Sequence, residues 1–482
     1  MRQMAPRTPQ KITPSPVLIM MKAIAFLFLC VSAASGAESR TNPQETVNVH
    51  LKLLAQGAVS GAVIDHSEVG LVVAVGNKPM VFAWEEVEAG SAYRAKRDLL
   101  ALERGQLENL TAEDHFQLGL FALQRNRPVV ARNEFRQAED LDHSYRQRVD
   151  SAFAAHRARR LEVESRRGSW EIPENNEPFP DESLPGLEDL VGTELPATER
   201  FATTGPADPQ LRARVREVYD RFGETVRRQM GANVVLVETD HFLVWTDWDP
   251  RSRKHLGEWC ELMYRALCRQ FGFDPQDDIF LAKCPLFCWR TKGRFMKFAR
   301  LFDGYEGKDA VGYTRSIEAN GHVHIVLFLS GRDDMAYDRF AATLVHEGTH
   351  AFVHRTYSTR LIPHWVNEGL AELISERVLG DRCFASEKAD LLARQYVRHD
   401  WPITRFLQYA GPIEVHDYPL AASVVEYLER KSPGSFARFI RGLKEGRCLN
   451  EALTLNYDGM DVIRLEAAWR EAVRREDPHP VP

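Results

Sequence analysis

The chain divides by its pattern of apolar and polar positions. In residues 45–95, Val72, Val73 and Val75 precede Gly76-Asn77-Lys78-Pro79, and Val81-Phe82-Ala83-Trp84 follows. Two β-prone runs around turn residues predict a hairpin in a small β-rich segment. Residues 96–162 carry apolar positions at helical spacing and predict a helical region. Residues 163–208 are acidic and broken by Pro173, Pro178, Pro180, Pro185, Pro196 and Pro206, a composition that predicts a linker rather than a core. From 210 to 476 the pattern mixes both periods. Helices are predicted over 211–230 and 256–271, and strands over 234–237, 242–245, 279–281, 286–289 and 322–329, after which helices dominate. Strands followed by helices argue for an α+β fold.

Within the helical region, Leu118-Gly119, Ala131, Phe135 and Ala138 fall at the offsets of one tetratricopeptide-type hairpin. Small residues let two helices cross closely, and Phe135 fills the gap. A single such unit cannot bury its faces alone and has to pack on other helices. An ordinary helical hairpin and a repeat that docks a protein partner fit these residues equally.

At 482 residues the chain is long enough for two or three domains, and 44% apolar with 27% charged residues is an ordinary globular balance. A net charge of -6, with Lys and Arg spread along the chain, excludes a nucleic-acid footprint and a polybasic membrane patch. Residues 1–37 stand apart. Lys22, the apolar run Ala23–Val31 and the small-residue end Ser35-Gly36-Ala37 are the parts of a secretory signal peptide after an N-terminal extension. The apolar run is short for a membrane span, although an uncleaved anchor is the competing reading. The chain is therefore expected to be exported, with no stable span after cleavage. Six cysteines follow the signal: Cys260, Cys268, Cys284, Cys288, Cys383 and Cys448. No zinc-site spacing surrounds them, so they read as buried thiols or disulfides.

The candidate chemistry lies at His346-Glu347-Gly348-Thr349-His350. Histidines four apart on a helix share a face, so both imidazoles reach one ion. Zinc suits neutral nitrogen ligands, and Glu347 is placed to take a proton from a metal-bound water. Phe340, Leu344, Val345, Ala351, Phe352 and Val353 make the helix apolar enough to be buried, with Asp333 and Asp334 as start signals. A Glu and two His inside such a helix are costly unless a metal or partners satisfy them.

A catalytic zinc needs a third protein ligand. Glu368 lies on a second helix expected to begin near Pro363, and Glu372 one turn beyond it is either a spare ligand or an orienting partner of a ligand His. His354 is a rival on the first helix. Ligands at i, i+4 and i+8 do not converge, because the outer two are about 12 Å apart. His354 therefore reads as a neighbouring or surface histidine.

The pairing of His346-Glu347-x-x-His350 with Trp365-x-x-Glu368-Gly369-Leu370-Ala371-Glu372 resembles the gluzincin zinc peptidases, in particular the peptidase-MA-like group. The segment from Tyr418 to Leu428 is similar to that group's next helix, and the likeness runs over about residues 230–475. The resemblance implies a zincin-like domain over 210–476, Zn²⁺ held by His346, His350 and Glu368, and Glu347 as general base. It also implies a peptide or protein substrate. Tyr418 would stabilise the developing oxyanion, with Tyr409 and His416 as rivals and a purely structural Tyr418 as the alternative. The strand before the metal helix, 322–329, would be an edge that pairs with substrate, or else core. No Gly-x-Met-Glu-Asn segment is present, so an aminopeptidase is not supported. Two other readings compete with the peptidase. One is a scaffold built on the helical region. The other is a zinc hydrolase of another substrate class.

Overall fold

A computed structural model of the chain describes residues 47–54, 57–76, 78–167, 208–305, 310–317, 321–330, 336–380, 383 and 385–476. The expected signal peptide, most of the expected linker, and Asp333-Asp334 lie outside these residues. The fold is α+β.

The described chain begins with four antiparallel strands in sequential order, β1 (Asn48–Leu53), β2 (Gly57–His66), β3 (Gly70–Val75) and β4 (Lys78–Ala83). Alternation sends their side chains to two different cores. Leu71, Val73 and Phe82 pack beneath α1 (Ala89–Glu103), whereas Val72 and Val81 join the large core of the C-terminal half. Helices α2 (Ala112–Gln124), α3 (Pro128–Leu141) and α4 (Arg146–Arg167) follow. Thr111 caps α2 through the Asp114 amide, and Pro128 opens α3 where its missing N–H costs nothing. Phe135 lies against Gly119 so closely that a Cβ there would meet the ring at 2.4 Å.

Next come α5 (Pro209–Met230), β5 (Val235–Glu238), β6 (Phe242–Thr246), α6 (Pro250–Phe271), β7 (Cys284–Trp289), α7 (Lys292–Asp303), β8 (Gly312–Ile317) and β9 (His322–Phe328). The second sheet has the order β5-β6-β7-β9-β8. Its centre is parallel, and the strands at either end are antiparallel. Leu243, Trp245, Phe287, Trp289, Val326 and Phe328 point to a layer formed with α5 and α7. Phe242, Val244, Leu286, Cys288, Ile325 and Leu327 point to the opposite, larger core. Central strands covered on both faces read as continuous apolar runs, as these do.

Two expectations need correction. Residues 279–281 are not a strand. Asp277 and Asp278 accept from the Ile279 and Leu281 amides in turns, and Leu281 has φ 64°. Strand 322–328 is not an edge either: every residue of it is buried between β7 and β8. On that side the sheet ends, among the described residues, at β8, whose residues are all half-buried.

The rest is helical: α8 (Ala336–Arg355), α9 (His364–Leu379), α10 (Ala385–Arg398), α11 (Thr404–Gln408), α12 (Tyr418–Lys431), α13 (Pro433–Lys444), α14 (Leu449–Asn456) and α15 (Val462–Glu476). Helix α8 lays Phe340, Leu344, Val345, Ala351, Phe352 and Val353 into the larger core. Helices α9 and α12 pack backbone against backbone at Gly369, where a Cβ would lie 2.5 Å from the Ala421 carbonyl oxygen. The α10 helix lies between α12 and the first sheet. Cys260, Cys268, Cys284 and Cys288 are buried free thiols, and Cys448 is an exposed one. No helix among the described residues is long and apolar enough to cross a membrane.

Candidate metal centre

Helix α8 presents His346 and His350 from successive turns with ring centroids 4.7 Å apart, and α9 brings Glu368 onto both. His346 Nε2 and His350 Nε2 are 3.1 Å apart, and Glu368 Oε2 is 3.3 Å from each. These three residues are the group able to hold a metal ion among the described residues. The triangle is a direct fit test. A tetrahedral ion with ligand bonds of about 2.0–2.1 Å needs ligand atoms about 3.3–3.4 Å apart. The observed edges are close to that face, and two imidazoles with one carboxylate are a donor set zinc accepts.

Glu372 is not on the ligand side. Its Oε1 lies 3.2 Å from His346 Nδ1, so it orients that ring with Nε2 turned to the triangle. His350 Nδ1 is buried without a hydrogen-bond partner, so of the two rings only His346 meets a carboxylate at Nδ1. Burial opposes a charged His346. Hydrogen bonds to Glu368 and Glu372 outweigh it and raise the His346 pKa well above the usual histidine range. Burial likewise opposes the Glu368 carboxylate, but His350 and His346 hold its pKa well below the usual carboxylate range.

Glu347 sits beside the triangle, held from β8. The Thr314 hydroxyl lies 2.8 Å from Glu347 Oε2 and 2.8 Å from the Glu347 carbonyl oxygen, able to donate to either. Gly312 makes this approach possible, since a Cβ there would come within 2.7 Å of Thr343 and 3.3 Å of the Glu347 side chain. Gly348 serves the opposite side of α8. It faces Met263 of α6 at a distance that leaves no room for a Cβ.

Tyr418, at the start of α12, stacks on His346 with centroids 5.9 Å apart and planes 10° from parallel. Burial, then the Glu368 and Glu347 carboxylates, push its hydroxyl pKa upward, so it remains a hydrogen-bond donor. The rivals meet other groups. Tyr409 is exposed with its hydroxyl over Gly411, and His416 faces Asp417 at 3.6 Å. His346, Glu347, His350, Glu368 and Tyr418 are thus brought together. Thr314 was missed from sequence, because β8 has no apolar alternation to mark it.

His354 is buried, not on the surface. Burial, with the charges of Lys444 and Arg355, pushes its pKa down to about 3 from a usual value near 6.5. The unfolded chain therefore binds the extra proton, and stability falls as pH drops from about 6.5 toward 3, by on the order of 4 kcal/mol for this one group. We expect the urea-unfolding free energy of chelator-treated protein to fall less between pH 7 and pH 4 in His354→Gln than in the parent. Equal losses in the two proteins would contradict the assignment.

No protein-family model matches the sequence, and no curated protein matches it.

Proposed function

We propose that this chain is a zinc-dependent metallopeptidase of gluzincin type, with a zincin-like catalytic domain over residues 210–476 and zinc held by His346, His350 and Glu368. The observation that carries the reading is the triangle of candidate ligand atoms with edges of 3.1–3.3 Å, with the carboxylate of Glu347, next to His346 in the chain, outside it and held by Thr314. A structural metal site has no need of that carboxylate. Zinc bound there would acidify a water and polarise a carbonyl.

The remaining steps belong to the chain. Glu347, positioned by Thr314, accepts the proton of the attacking water on its carboxylate and returns it to the leaving amine. Tyr418 donates its hydroxyl hydrogen to the oxyanion that develops on the scissile carbonyl. The outer edge of β8 offers backbone N–H and C=O groups to an extended peptide, so the substrate-pairing role moves from β9 to β8. A signal peptide ahead of this domain implies an exported enzyme acting on peptides or proteins outside the cytoplasm. The α2–α3 hairpin, of tetratricopeptide type, is a second place for a protein partner.

The test is elemental analysis of the purified protein, with hydrolysis of casein and a peptide library before and after chelation. Stoichiometric zinc and cleavage restored by added zinc are expected. Absence of zinc binding overturns the reading. Zinc without cleavage transfers it to a hydrolase of another substrate class or to a scaffold.

A further inference from the structure

On the face of the second sheet away from the metal centre, a buried polar relay ends on the strand that holds Glu347. Strand β8 ends that sheet among the described residues and pairs there with β9 alone. Its successive side chains point to opposite faces. Toward α8 it presents Gly312 and Thr314, neither with apolar bulk to anchor the strand, and Thr314 is the residue that meets Glu347. The hold comes from the other face. There the Tyr313 ring lies 5.6 Å from Phe295 and 4.7 Å from Tyr305 between centroids, and its hydroxyl donates to Asp303 Oδ2 at 2.5 Å. Burial, then the Asp303 carboxylate, raise the Tyr313 pKa well above the usual tyrosine range, so the hydroxyl keeps its hydrogen.

Asp303 is the last residue of α7, and its side chain is only 1% exposed. Its two side-chain contacts fall on one oxygen. Oδ2 takes the Tyr313 hydroxyl and lies 3.0 Å from His324 Nε2, while Oδ1 is buried without a hydrogen-bond partner among the described residues. His324 belongs to β9. Its Nδ1 lies 2.9 Å from His322 Nε2, and His322 Nδ1 lies 3.3 Å from the Tyr219 hydroxyl of α5. The carboxylate therefore ties the end strand to α7 and, through two fully buried histidines, to α5. Apolar packing is non-directional and leaves a strand with one neighbour free to tilt. A short hydrogen bond to a buried carboxylate sets both distance and angle.

We propose that Tyr313 and Asp303 are positioning residues for Glu347. Asp303 holds Tyr313 behind the sheet, the backbone of β8 carries that hold one residue along, and Thr314 delivers it to the Glu347 carboxylate at 2.8 Å. This rests on the metallopeptidase reading above and adds that the proposed general base is aimed from the side of the sheet opposite the ligands.

The experiment measures steady-state peptide cleavage, zinc content and amide hydrogen exchange on the full chain. Tyr313→Phe removes one oxygen and keeps the ring. It is expected to lower kcat by about 10-fold, a fraction of what a misplacement of about 1 Å costs, with KM and zinc content at parental values. Amide exchange over residues 312–317 is expected to quicken. Asp303→Asn, which still offers an acceptor to the Tyr313 hydroxyl, should keep more of kcat than Asp303→Leu. In a Thr314→Val background, Tyr313→Phe should add little, because the hold on Glu347 is already cut. If Asp303→Leu fails to fold, Tyr313→Phe and the double variant decide the matter. Parental kcat in Tyr313→Phe or in Thr314→Val, even with a lower unfolding free energy, would overturn the coupling and leave the metallopeptidase reading intact. Losses that simply multiply in the double variant, or unchanged exchange over 312–317, would do the same. A parent that cleaves no peptide overturns that reading, and this inference with it.

Discussion

Glu347→Gln is expected to keep stoichiometric zinc and the parental unfolding midpoint while losing about 10²–10⁴-fold in kcat on any peptide the parent cleaves. The substitution removes one thing only. A glutamine side chain has the size and reach of Glu347, and its carbonyl still accepts from the Thr314 hydroxyl that now holds Oε2 at 2.8 Å. The three atoms that would hold the ion belong to His346, His350 and Glu368, so the substitution leaves the proposed ligand set intact. What the amide cannot do is accept a proton from water and return it to an amine. Paired measurement of zinc content and hydrolysis also separates the chain's own activity from that of a co-purified peptidase, which the variant would not affect. If Glu347→Gln kept more than about a tenth of parental kcat with zinc bound, general-base catalysis by Glu347 would be wrong.

The elements that carry this chemistry were legible because they are local. His346 and His350 lie one turn apart on one helix, and Glu368 and Glu372 do the same on the next. Helical periodicity alone separates the faces that meet. Sequence left both glutamates as candidates, and the crossing of α8 and α9 places Glu368 on Nε2 and Glu372 on Nδ1 of His346. Strand β9 shows the opposite lesson. A run from His322 to Leu329 with so few polar residues is the mark of a strand covered on both faces, not of an edge. Its two histidines are buried on the α5–α7 side. There His322 Nε2 faces His324 Nδ1 at 2.9 Å, and His324 Nε2 faces Asp303 at 3.0 Å. The end strand beyond β9 among the described residues, β8, shows no alternation of buried and exposed positions. Thr314 could have been found only by asking why Gly312 precedes a β-prone Tyr313-Thr314 pair. An ion pair between Glu86 and Lys388 joins residues 302 apart in the chain, and no spacing rule reaches that far.

The second large effect is expected from Gly369→Ala, in the residue next to Glu368. Two glycines lie in the paired motifs, and the space around them differs in kind. At Gly348 an added Cβ meets the sulfur and terminal methyl of Met263, the flexible end of a thioether that has other rotamers. At Gly369 it meets the Ala421 backbone oxygen at 2.5 Å and carbonyl carbon at 2.6 Å, with Val425 Cγ2 at 2.8 Å. No rotamer relieves a clash with a helix backbone, so α12 has to move away from α9. Overpacking of this kind costs about 1–3 kcal/mol, and alanine's better helix propensity returns about 1 kcal/mol at most. Gly369→Ala should therefore lower the unfolding free energy by about 1–2 kcal/mol, and Gly348→Ala by less. The functional loss should exceed the stability loss. Helix α9 carries Glu368 and α12 begins with Tyr418, so the same displacement would separate the proposed ligand from the hydroxyl proposed to serve the substrate oxygen. Misplacing a reacting group by about 1 Å costs about 10²-fold in rate. Urea unfolding, zinc affinity and peptide hydrolysis measured on both variants give the comparison. Gly369→Ala with parental stability and activity would show that α9 and α12 are not packed at this distance. Equal losses in the two variants would show that the backbone contact is not what distinguishes them.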